Sequence, residues 1–182
     1  MSSSIRKQKE YDFLSLAVTD FNIRSSIAIN PKARDTKYSP SDTKVYQRYS
    51  TLELSCRNID PDEPLTDTYQ FTIYGHPDEG LANPDLTLAD CHVYDGEGFK
   101  KYRKSRGVDK PVYEVPKGIG ALQKRHGMRQ WSSALWLMPD IVSDMNALLL
   151  SDLDIYVACH IRYENRVAWL IDLDLQTANP LD

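Results

Sequence analysis

Residues 154–174 leave this part of the chain one simple fold. In DIYVACHIRYENRVAWLIDLD, Ile155, Val157, Cys159 and Ile161 recur at every second position. Beyond the polar YENR, Val167, Trp169, Ile171 and Leu173 do the same. Period two marks a strand with one buried face, and two such runs around a polar turn predict an antiparallel hairpin. A lone hairpin is marginal in water, so other segments must complete its sheet.

Candidate partners lie upstream. NIRSSIAI sets Ile23, Ile27 and Ile29 two and four apart, a strand face. YDFLSLAV aligns Leu14, Leu16 and Val18 as another, with a short helix as the alternative. In VYQRYSTLELSCRNI, Leu52, Leu54 and Cys56 alternate with Glu53 and Ser55. YQFTIYG, rich in aromatic and β-branched residues, reads as its partner, joined through a long turn at DPDEPLTD. LTLADCHVYDGEG reads as a strand closed by a glycine turn, and SSALWLM as a short apolar strand. Polar residues 30–44, with two prolines, read as a loop.

One helix is expected near residues 140–151. There Ile141, Val142, Met145, Leu148 and Leu149 fall at helical spacing behind Pro139, which suits a first turn. Strands without alternating helices predict an α+β, β-rich fold with an antiparallel sheet, as a sandwich or a partly open barrel, and the helix packed on it. A chain of 182 residues suits a single domain over 1–182. All eight glycines lie between Gly75 and Gly127, which predicts a glycine-rich loop or insertion over about residues 95–130.

Composition excludes several classes. At 41% hydrophobic and 26% charged the chain is not compositionally disordered. It has no apolar run of about 18 residues, so no membrane span is expected. The opening MSSSIRKQKEYDF lacks the apolar stretch of a secretory signal. Three widely spaced cysteines, Cys56, Cys91 and Cys159, argue against a disulfide framework and fit a cytoplasmic setting.

Charge is arranged in blocks that the net of -4 conceals. Residues 58–99 hold ten acids and no Lys or Arg, whereas residues 100–129 hold ten Lys or Arg and two acids. Because screening limits charge interactions to roughly 10 Å at 0.1 M salt, a partner meets the block rather than the mean. Lys100, Lys101, Arg103, Lys104 and Arg106 form a first positive cluster, and Lys124, Arg125 and Arg129 a second. Tyr102, Tyr113 and Trp131 are interspersed. Phosphates favour a positive track, bases stack on aromatic rings, and glycines let backbone amides approach an anion. The same cations also suit an acidic protein surface, including a second copy of the chain through complementary charge blocks.

Motifs for catalysis are sparse. Neighbouring strand residues point to opposite faces, so neither Cys91-His92 nor Cys159-His160 makes a metal pair. His76, Asp78 and Glu79 in HPDEG offer a composite site or a polar turn. Asp152 with Asp154, and Asp172 with Asp174, stand two apart, a spacing that in a strand places both carboxylates on one face, as in many Mg²⁺-dependent phosphoryl-transfer sites or on a solvated strand face. GIGALQKRHG lacks both the dinucleotide fingerprint and the P-loop ending, and no nucleophile elbow occurs, so no cofactor is expected. The sequence therefore predicts a non-enzymatic binding or assembly protein. Its working surface is Lys100, Lys101, Tyr102, Arg103, Lys104, Arg106, Lys124, Arg125, Arg129 and Trp131, directed at an acidic protein or a single-stranded nucleic acid. The competing expectation is a metal-dependent phosphoryl-handling enzyme using Asp172 and Asp174.

Overall fold

A computed structural model describes residues 11–29, 45–61, 67–75 and 87–182. His76, Asp78 and Glu79 lie outside the described residues, as does the proline-containing stretch 30–44. In chain order the elements are β1 (Tyr11–Ile29), β2 (Tyr46–Asn58), β3 (Thr68–Gly75), β4 (Tyr102–Ser105), β5 (Val108–Pro111), β6 (Gly120–Lys124) and β7 (Gln130–Leu137). Then come α1 (Pro139–Leu149), β8 (Tyr156–Glu164), β9 (Val167–Leu170) and β10 (Asp174–Gln176). Among the described residues, eight strands form one sheet in the order β1-β2-β3-β7-β6-β9-β8-β10, while β4 and β5 pair only with each other. No described helix is long and apolar enough to cross a membrane.

The sheet is mostly antiparallel, but β3 and β7 run parallel from Thr68↔Gln130 to Gly75↔Leu137. Parallel neighbours need a long crossover, and residues 76–129 supply it. That stretch includes the region expected as a glycine-rich loop or insertion over about 95–130, and it carries β4, β5 and β6. Within LTLADCHVYDGEG, residues 88–91 turn, and only His92 and Tyr94 make isolated bridges.

β1 is one strand of 19 residues where the sequence showed two apolar runs of opposite parity. Its register against β2 shifts between Val18 and Asp20, so Thr19 is an extra residue in the ladder. A bulge of this kind reverses the faces of everything beyond it. Leu14 and Leu16 are therefore buried before the bulge, while Phe21 and Ile23 stand opposite the buried Leu54 and Leu52 after it. The Thr19 hydroxyl donates to the Ser55 carbonyl at 2.9 Å. β1 pairs with β8 over Tyr11 to Ala17 and with β2 from Leu16 to Ile29, so the hydrogen-bonded order returns to its starting strand.

Leu16, Leu52, Phe71, Ile73, Leu135, Val157, Cys159, Ile161 and Leu170 form the centre of the core. Helix α1 lies against β2, β3 and β10 with Val142 and Leu149 buried. Ile141, Met145 and Leu148 pack partly against the same core. The predicted C-terminal hairpin is β8–β9, turning at Asn165 and Arg166 with φ of 50° and 67°, the two-residue turn that matches strand twist. Its return strand buries Ala168 and Leu170 rather than Val167 and Trp169, because Leu170 pairs with the inward Ile161. Cys56 and Cys159 are free and buried. Burial pushes the Cys56 thiol from 9.0 up to about 12. It raises Cys159 further, aided by the nearby Cys56, Asp172 and Asp174.

Candidate functional site

The first basic cluster lies on a small module outside the main sheet. It begins at a turn in which Asp90 accepts from the backbone N–H and hydroxyl of Thr87, at 2.8 and 2.6 Å. These bonds hold the Asp90 carboxyl below its ordinary range. Tyr94 then bridges to Lys100 across a second turn, in which Asp95 accepts from the N–H groups of Glu97 and Phe99 at 3.0 and 2.9 Å. β4 and β5 follow as a tight hairpin through Arg106 and Gly107, with φ of 51° and 80°. Three segments are laced together by Lys101 N–H to the Val93 carbonyl (2.8 Å), Val112 N–H to that of Lys101 (3.0 Å) and Val93 N–H to that of Val112 (2.9 Å).

Register sorts the side chains. Tyr94 pairs with Lys100, Tyr102 with Pro111, Lys104 with Asp109, and His92 with Tyr113. Paired residues share a face and alternate ones recur on it. Ring contacts agree: the His92 ring lies 5.8 Å from Tyr94, 5.9 Å from Tyr102 and 5.0 Å from Tyr113. His92 is 9% exposed and its Nε2 has no hydrogen-bond partner among the described residues, whereas the three tyrosines around it are exposed. Lys100 and Lys104 belong to this aromatic face. The opposite face carries Lys101 and the directly paired Arg103 and Lys110. Among the described residues no carboxylate lies within 4.0 Å of Lys100, Lys101, Arg103, Lys104 or Arg106.

The second cluster sits elsewhere, at the β6–β7 turn of the large sheet. Lys124 pairs with Trp131, and its Nζ lies 5.1 Å from the indole centroid. Trp131 donates from Nε1 to Asp67 Oδ2 at 3.0 Å, stacks near Tyr69 with ring centroids 6.5 Å apart, and packs partly on the core. Lys124 Nζ is 4.0 Å from the same Asp67 oxygen. Arg125 closes the turn through its backbone N–H to Gln130, and the Arg129 carbonyl accepts from Thr68 N–H. The structure thus groups Lys100, Lys101, Tyr102, Arg103, Lys104 and Arg106 in one module, and Lys124, Arg125, Arg129 and Trp131 in another setting.

Sequence reasoning missed His92, Tyr94 and Lys110 as members of the first group. The available signal was parity: Tyr94, Lys100, Tyr102 and Lys104 all fall at even positions on either side of one turn.

The aspartate pair has a different setting from the one its spacing suggested. Asp172 lies between β9 and β10, outside any strand. Its carboxylate accepts from His160 N–H at 2.9 Å and meets His160 Nδ1 at 2.7 Å. Among the described residues no group of three or more His, Cys, Asp or Glu is placed to hold a metal ion. No protein-family model matches the chain, and neither a curated protein nor a solved structure is significantly similar to it.

Proposed function

We propose that the chain is a non-enzymatic binding protein whose module spanning residues 92–113 grips a single-stranded nucleic acid. The observation that carries this reading is the shared face of Tyr94, Tyr102 and Tyr113 with Lys100 and Lys104, supported underneath by buried His92. Exposed rings offer stacking surfaces to bases, and the flanking ammonium groups suit the phosphates between them. The Arg103–Lys110 pair adds support, because like charges directly opposed across a ladder cost stability unless an anion lies between them. The main sheet is the scaffold, and the return of its pairing to β1 favours the partly open barrel over the sandwich.

An acidic protein partner is the second reading. It has its own observation: Lys124 of the basic block already meets Asp67 of the acidic block within the chain. The deciding experiment is anisotropy of a labelled single-stranded oligonucleotide at low and moderate salt. Six single-strand phosphate contacts should lose roughly 10² to 10³ in affinity between 50 and 200 mM salt. Absence of binding at the lower salt overturns the nucleic-acid reading and leaves the acidic protein.

A further inference from the structure

The β1–β2 ribbon outruns the body of the sheet. β3 stops at Gly75, opposite Ser50, so residues 46–49 of β2 and 26–29 of β1 have only each other among the described strands. The far edge of β1 is covered by β8 as far as Ala17, and Val18 N–H still reaches the Ile155 carbonyl at 2.9 Å. Beyond that, among the described residues, no strand pairs with this edge. The face that buries Leu52 and Leu54 continues outward along the ribbon and becomes solvent-exposed there. Ile27 is 72%, Ile29 48%, Tyr46 61% and Phe21 38% exposed. A long, open, apolar edge is a template for further strand pairing, and native proteins commonly blunt such edges.

We infer that this edge pairs antiparallel with the same edge of a second copy about a two-fold axis at Ser25. The residue pattern selects that register. Phe21 then faces Ile29 of the second copy, Ile23 faces its Ile27, and Ser25 faces its Ser25, all on the core-side face. On the other face Asn22 meets Ala28, and Arg24 meets Ser26. An axis at Arg24 sets two guanidinium groups directly opposite, which destabilises a ladder. An axis at Asn22 requires the edge at Val18, which the chain around Ile155 already occupies. The exposed parts of Phe21, Ile27, Ile29 and Tyr46 amount to on the order of 500 Å² per copy, the size of the largest apolar patch on a monomer, which is often functional. Two copies together approach the roughly 1,000 Å² that a specific interface needs.

The test is light scattering after size exclusion across the micromolar range, with disulfide trapping. A dimer is expected that persists at high salt, since apolar contacts and backbone bonds hold it. Ile27→Lys is expected to raise the dimer dissociation constant at least tenfold, with thermal melting unchanged at concentrations where wild type is also monomeric, and Ile29→Lys serves should Ile27→Lys fail to fold. In a Cys91→Ser background, Ser25→Cys is expected to oxidise to a linked dimer, because opposed Cβ atoms stand about 4.5–5.5 Å apart. Asn22→Cys is expected not to link. A monomer at every concentration, a dimer indifferent to both lysine variants, or equal linking through Asn22→Cys overturns the inference. Salt-sensitive association marks charge-block assembly instead. Oligonucleotide binding by Ile27→Lys, read separately, keeps this result distinct from the fate of the nucleic-acid reading.

Discussion

The indole N–H of Trp131 donates to the carboxylate of Asp67 at 3.0 Å, and Asp67 is itself 7% exposed. The buried carboxylate and the partly buried indole N–H satisfy each other, and Lys124 lies beside both. Asp67→Ala leaves the indole without its acceptor and should cost about 1–3 kcal/mol in urea denaturation. Asp67→Asn keeps an acceptor and should cost less. It also removes the charge that faces Lys124, so any oligonucleotide affinity measured at low salt should rise slightly with it.

On the aromatic face, Tyr102→Ala should weaken oligonucleotide binding by about 1–3 kcal/mol, the usual worth of one stacked base, while Tyr102→Phe should keep it. Replacing both Arg103 and Lys110 by Gln should flatten the slope of log affinity against log salt by about 1.4, at roughly 0.7 per single-strand contact. The same double change removes a like-charge cross-strand pair, so the melting temperature should hold or rise. Loss of affinity together with loss of fold would assign the two cations to structure instead.

Much of the sheet was legible because it obeys period two. Leu52, Leu54 and Cys56 on β2, and Val157, Cys159 and Ile161 on β8, are all buried as their alternation implied. The helix was legible in the stripe that ends in buried Val142 and Leu149. What escaped were events that periodicity does not encode. Thr19 interrupts the ladder and merges two runs of opposite parity into one strand. The parallel β3–β7 pair depends on where the chain returns after residues 76–129, which no local pattern states. At the candidate site, charge density located the cations, but the division into two settings rests on tertiary pairing. Lys124 is drawn to Trp131 and Asp67 on the large sheet, while Lys100 and Lys104 align with tyrosines on the small one.

Gly118 and Gly96 should respond oppositely to the same substitution. A Cβ on Gly118 would run into the Leu170 carbonyl oxygen and the Trp169 Cβ, and Ile119 N–H holds that carbonyl at 2.8 Å. Backbone cannot rotate aside as a side chain does, so Gly118→Ala should cost about 1–3 kcal/mol. At Gly96 none of the described residues lies within 4 Å of an added Cβ. Gly96→Ala should therefore be neutral or gain up to about 1 kcal/mol by restricting the unfolded chain. Thermal melting of the two single variants distinguishes them.

The buried thiols predict how stability depends on alkaline pH. In the unfolded chain Cys56 ionises near 9.0, but in the folded protein not until about 12. Between these values the unfolded state releases a proton that the folded state retains. Its contribution to stability is thus complete below pH 9 and declines as pH rises through that window, by about 1.4 kcal/mol per unit for one thiol. Cys159, raised in the same direction by burial, adds to the slope. Denaturation at pH 8, 9.5 and 10.5 should show wild type losing stability faster than Cys56→Ala/Cys159→Ala, whose lower starting stability reflects the two small cavities. Tyrosine and lysine titrations are common to both proteins and cancel in the comparison. Parallel slopes would mean that the two thiols meet more water than their 2% and 0% exposure allows.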